Sequence, residues 1–71
     1  MRASMGPGVR CVAAPIFDES GHVLATISLS GPTARITDDK IFLLGAWVTR
    51  AARLITAELG GKVDERLLAE P

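Results

Sequence analysis

From Val23 to Ser30 the chain alternates. Val23, Ala25, Ile27 and Leu29 fall on one side of an extended backbone, and Leu24, Thr26, Ser28 and Ser30 fall on the other. A second run rich in Val, Ile and Ala precedes it, from Gly8 to Phe17, and the two are separated by the turn-forming cluster Asp18-Glu19-Ser20-Gly21. This pattern predicts a β-hairpin. With Asp18 to Gly21 as the loop, Phe17 pairs with His22 and Cys11 stands opposite Ser28. One face is then apolar, with Val12, Ala14 and Ile16 beside Val23, Ala25, Ile27 and Leu29. The other face carries a thiol and hydroxyls at its far end, and in this register no arginine or lysine lies on it.

After Ser30-Gly31-Pro32 ends the hairpin, residues 33–37 form a short linker anchored by Ile36. Thr37-Asp38-Asp39 is a helix-start signal, with a capping side chain and acidic charge at the positive end of the helix dipole. The period that follows predicts a helix from Asp39 to Leu59, stopped by Gly60-Gly61. Ile41, Leu44, Gly45, Val48, Ala51, Ala52, Ile55 and Leu59 share one stripe, while Leu43, Trp47 and Leu54 form a second, narrower one. Thr49, Arg53 and Thr56 fall on the wet side. Residues 1–7 read as a flexible lead-in, 8–61 as the folded unit and 62–71 as a polar tail that frays, with Val63, Leu67 and Leu68 its apolar exceptions. The expected fold is α+β: one hairpin and one long helix. A hairpin covers only one of the two helical stripes, so Leu43, Trp47 and Leu54 are expected to pack against another part of a larger domain or another subunit.

Composition narrows the classes. The chain has 71 residues, 48% of them hydrophobic, which excludes disorder and a second domain. A core of this size is marginal on its own. Cys11 is the single cysteine, so no disulfide framework assists, and with His22 the single histidine no metal cluster is expected. A lone thiol suits a reducing, cytoplasmic setting. No run reaches the length of a membrane span, and Met1 to Pro7 lacks the apolar core of a signal peptide. Eight basic and eight acidic residues cancel, which argues against nucleic-acid contact by these residues themselves.

The residues that bear chemistry are few. Cys11 reads as a nucleophile, a ligand contact or a buried filler, and His22, at the opposite end of the hairpin, offers no route to a thiolate. Ser28 and Ser30 are strand-end hydroxyls or, on the same face as Cys11, donors for a carboxylate. Asp18 and Glu19 are turn acids without partners for acid–base work, Trp47 is core or interface filler, and Arg10, Arg35, Arg50 and Arg53 are spread out as solvated charges.

The ordered string Gly8-Val9-Arg10-Cys11-Val12-Ala13-Ala14-Pro15-Ile16-Phe17-Asp18, Ala25-Thr26-Ile27-Ser28-Leu29-Ser30-Gly31-Pro32 and Arg35-Ile36-Thr37-Asp38-Asp39 closely resembles the C-terminal end of IclR-family transcriptional regulators. The likeness continues through Ala51-Ala52 to Leu59-Gly60-Gly61 and so covers residues 8–61. The resemblance implies the last portion of an effector-binding domain with a GAF-like fold, an antiparallel sheet backed by helices. It implies a non-enzymatic, ligand-sensing role in transcription regulation, without a cofactor. In such a regulator DNA is bound by a separate N-terminal winged helix-turn-helix domain, which this chain lacks. The implied partners are a small carboxylate or aromatic-acid effector and further copies in a dimer or tetramer. The family's pocket-lining cysteine and two serines correspond to Cys11, Ser28 and Ser30. The competing reading is a structural or oligomerisation module without a ligand, built on the second helical stripe.

Overall fold

Three antiparallel strands form the sheet, in the order β1-β2-β3: β1 is Arg2–Gly6, β2 Val9–Phe17 and β3 Val23–Pro32. The computed structural model describes residues 1–69. Two helices follow the sheet, α1 over Asp38–Glu58 and α2 over Glu65–Ala69. The arrangement is α+β, a three-stranded antiparallel sheet followed by one long helix, as the sequence pattern leads one to expect.

The additional strand comes from the segment expected to be a lead-in. Arg2 pairs with Ala13, Ser4 with Cys11 and Gly6 with Val9. The segment has no alternation and no β-branched residue, so its side chains do not announce it. Its backbone groups pair with the outer edge of β2 across a turn in which Gly8 takes a positive φ of 79°. β1 meets β2 only as far as Ala13, and two residues on Pro15 has no N–H to offer a ladder.

Helix α1 lies across the β2 face that carries Val12, Ala14 and Ile16, all buried. Phe17, Ile36, Ile41, Val48, Ala52 and Leu68 complete the core. Gly45 sits where the Met1 side chain crosses the helix, and a Cβ there would fall 2.5 Å from Met1 Cε. At the other end of this face, Arg10 reaches across the sheet edge, donating to the Ile36 carbonyl at 3.1 Å and to the Asp38 carboxylate at 2.6 Å.

The helical stripe departs from expectation at its C-terminal end. Leu59 is exposed, and Thr56, placed on the wet side by its spacing, is buried. The cause is polar: the Thr56 hydroxyl accepts the backbone N–H of Phe17 at 3.1 Å. At the N-terminus, the Thr37 hydroxyl donates to Asp39 and leaves the backbone uncapped by a side chain.

At the C-terminus of α1, Gly60 N–H donates to the Ala57 carbonyl and Gly61 N–H to that of Thr56, with Gly60 at φ 72°. This is a Schellman termination. A Cβ on Gly61 would collide with the Phe17 carbonyl, so the chain turns back against β2 only because that side chain is absent.

The tail is ordered rather than frayed through residue 69; Glu70 and Pro71, also part of the expected tail, lie outside the described residues. Lys62 N–H donates to the Asp18 carbonyl at 2.8 Å, the Asp64 carboxylate caps α2 through Arg66 N–H at 3.0 Å, and Leu68 enters the core. Arg53 holds Glu65 through two parallel hydrogen bonds of 2.5 and 2.7 Å, and the N-terminal ammonium donates to the Leu68 carbonyl.

Candidate functional site

The sheet face turned away from α1 carries Val9, Cys11, Ala13 and Pro15 of β2 and the even-numbered residues from Thr26 to Pro32 of β3, whereas Phe17, beyond the bulge, is part of the core. Cys11 stands directly opposite Ser30, and Ser28 stands opposite Ala13. This corrects the expected pairing of Cys11 with Ser28. Asp18 N–H donates to the His22 carbonyl at 2.8 Å, which puts His22 inside a five-residue loop, and Phe17 pairs with Val23. A bulge between Ile16 and Phe17 then displaces the register by one further residue. The total shift is two, and because side chains alternate with a period of two, the residues paired from Ile16 back to Val9 keep their faces. Cys11, Ser28 and Ser30 therefore share one surface despite the changed pairing.

The loop itself is built by one carboxylate. Asp18 Oδ1 accepts Ser20 N–H at 2.8 Å and His22 N–H at 3.0 Å, and Gly21 supplies a φ of 81°. The N–H donors, that of His22 foremost, hold the Asp18 carboxyl below the usual aspartate range. His22 lies at the far end of β3 from Ser30, so the thiol and the imidazole are not brought together.

Cys11 is half-buried, with its thiol 3.9 Å from the Val12 carbonyl, while Ser28 and Ser30 are exposed. Neighbouring β1 adds Arg2 and Ser4 to the same face, opposite Ala13 and Cys11. The expectation that no cation lies there therefore fails at Arg2, which spacing could not reveal because its segment carries no strand pattern. Next to the thiol–hydroxyl cluster, an open groove of about 240 Å³ is lined by Arg2, Ala13, Pro15, Thr26 and Leu67 among others. Cys11, Ser28 and Ser30 lie outside its lining. Among the described residues, no three of His, Cys, Asp and Glu converge as a metal site requires, and no helix is long and apolar enough to cross a membrane.

On the outer side of α1, Leu43, Trp47 and Leu54 are 51%, 58% and 59% exposed. Phe42, which the stripe analysis leaves aside, is more exposed still, at a different angle around the helix. The two-stripe reading of α1 thus holds as geometry: one stripe is covered by the sheet and the other is bare.

A family model described as the bacterial transcriptional regulator IclR C-terminal matches residues 5–57. The transcriptional repressor IclR of Escherichia coli (strain K12) is 52% identical over 54 residues, 76% of this chain and 20% of that protein. The acetate operon repressor of Salmonella typhimurium is 50% identical over 54 residues, again 76% of this chain and 20% of the relative. The HTH-type transcriptional regulator BhcR of Paracoccus denitrificans is 43% identical over 58 residues, 82% of this chain and 21% of the relative. The chain spans about a fifth of the length of these curated relatives. Cys11, Ser28 and Ser30 fall within the matched residues, whereas Arg2 and Ser4 precede them.

Proposed function

The chain belongs to the bacterial transcriptional regulator IclR C-terminal family, and from that premise we propose that it acts in transcription regulation as part of an effector-sensing domain. In this reading the complete domain binds a small organic acid on the open sheet face. Cys11, Ser28 and Ser30 contact the effector, the serine hydroxyls donating to the carboxylate oxygens and the thiol giving a weak donor or an apolar wall. The observation that carries the reading is the register, which sets Cys11 opposite Ser30 and keeps Ser28 beside them on a face that α1 does not cover. In this reading the role is sensing rather than catalysis, in keeping with the transcriptional regulators that the chain resembles. DNA contact belongs to a winged helix domain outside these residues, the setting is the cytoplasm, and the regulator works as a dimer or tetramer.

Calorimetric titration of a regulator containing this segment with small carboxylates tests the reading. Binding that weakens on Ser28→Ala or Ser30→Ala supports it. Unchanged affinity in both variants refutes it.

The alternative is a structural or oligomerisation module without a ligand, and the bare stripe of Leu43, Trp47 and Leu54 is the observation in its favour. It predicts that no small acid binds and that assembly depends on those three side chains.

A further inference from the structure

We propose that residues 62–69 form a detachable strap, which docks and releases as one unit while the sheet and α1 keep their structure. The segment is tied to the rest of the chain at three points. Lys62 N–H donates to the Asp18 carbonyl at 2.8 Å, and Glu65 accepts both guanidinium hydrogen bonds of Arg53. Leu68, 1% exposed, enters the core, and Val63 packs against that core half-buried. Asp18 and Arg53 lie within the residues that the family model matches, whereas the strap begins after that match ends at residue 57. The strap is thus held by the family's own elements and is not itself one of them.

The anchors are few and of a kind that lets go. α2 has five residues, far short of the length at which a helix stands alone in water, so it is helical only while docked. Release returns chain entropy to the whole segment, against the burial of one leucine side chain and part of a valine. The ion pair lies in the open, its Arg53 and Glu65 side chains 47% and 65% exposed, so dissolved salt screens it. The body closes without the strap: the Gly60 and Gly61 N–H groups are already taken by α1 carbonyls before Lys62 begins. Residues 61–64 carry no regular structure and supply the pivot. Release also changes the open groove. Leu68 is buried in the core while its neighbour Leu67 lines the groove, so docking builds that wall and release removes it.

Hydrogen exchange read by mass spectrometry, on a regulator containing this segment and without any ligand, tests the strap. Peptides from residues 62–69 are expected to exchange about tenfold or more faster than those from β2 and α1. They should still exchange more slowly than a free peptide of the same sequence. Glu65→Gln should speed exchange in the strap alone, by about two- to fivefold. Added salt should do the same in the unaltered protein and have less effect in that variant. Leu68→Ala should speed strap exchange by about thirtyfold or more, or to the free-peptide rate, with β2 and α1 unchanged. A leucine that merely fills the core would instead loosen β2 and α1 in step with the tail, and that result overturns the proposal. So does a strap that exchanges with the body in the unaltered protein, one that shows no protection at all, or one indifferent to Glu65→Gln.

Discussion

The backbone N–H of Phe17 donates to the Thr56 hydroxyl at 3.1 Å, across 39 positions of sequence, with both residues buried. The β-bulge at Ile16 and Phe17 interrupts the ladder at this point, and a threonine on the last turns of α1 takes up the donor. The contact joins the end of the central strand to the end of the helix. Thr56→Val keeps the shape and removes the acceptor, leaving a buried N–H unpaired at a cost of about 1–3 kcal/mol. Thr56→Ser keeps the acceptor and is expected to lose less. Thermal or denaturant unfolding of both variants checks the order, and a valine variant as stable as the serine variant would mean the bond contributes nothing.

Asp18 makes the loop sensitive to acid. Its carboxyl is held below the ordinary aspartate value by the His22 and Ser20 N–H groups. A group whose value is depressed on folding contributes stability that is fully present above its unfolded value. That contribution is lost as pH falls through the folded value. Melting temperature should therefore drop below the ordinary carboxylate range, and Asp18→Ala should melt lower than the unaltered chain at neutral pH. The gap between the two should close in acid. A gap that is constant with pH would assign the loss to something other than the ionised carboxylate.

Arg10 and Asp38 form an unequal pair. The Arg10 side chain is largely covered and also donates to the Ile36 carbonyl, while Asp38 is open to solvent. Arg10→Ala removes both bonds and the packing of its stem, costing about 1–3 kcal/mol. Asp38→Ala should cost less, within about 1 kcal/mol, as exposed ion pairs do. Equal losses from the two variants would place the whole effect in the ion pair.

Trp47 is the single tryptophan and stands on the bare stripe of α1. Its emission in the isolated chain should be red-shifted and readily quenched by a soluble quencher. Trp47→Ala should change stability by no more than about 0.5 kcal/mol. Blue-shifted, protected emission would show the stripe covered by self-association.

The elements with strong side-chain periodicity were legible in the sequence: the β2–β3 hairpin, helix α1, its glycine stop and its two stripes. What escaped was written in backbone hydrogen bonds. β1 is a strand because β2 has an edge to fill, and its own small residues carry no signal. Thr56 is buried because an amide 39 positions away needs an acceptor, a relation invisible to any local period. The pairing of Cys11 differs from the alternation-based register because the loop takes in His22 and a bulge follows, each adding one residue. Two such shifts preserve the face, so Cys11, Ser28 and Ser30 share one face as the alternation leads one to expect, and Arg2 joins that face from a strand without a pattern of its own.

The corrected register sharpens the prediction for the proposed effector site. Ser30, directly opposite Cys11, is the hydroxyl that a ligand resting on the thiol meets first, and Ser28 lies two residues along the same strand face. A hydrogen bond to a charged ligand is worth about 1.5–3 kcal/mol, or roughly one to two decades in affinity. Ser30→Ala and Ser28→Ala should each weaken binding of a small carboxylate by that amount in a regulator containing this segment. Both variants should leave DNA affinity without effector unchanged, since the open face carries no part of the DNA contact in this reading. Arg2 separates two versions of the site. It shares the face but precedes the residues matched by the family model, so Arg2→Gln should not alter effector affinity if the family positions alone form the pocket. Calorimetry on the three variants decides. Loss in the serine variants with no change in the arginine variant places the carboxylate over Cys11, Ser28 and Ser30. Loss in the arginine variant alone moves the ligand into the neighbouring groove, and the serines then only finish a strand.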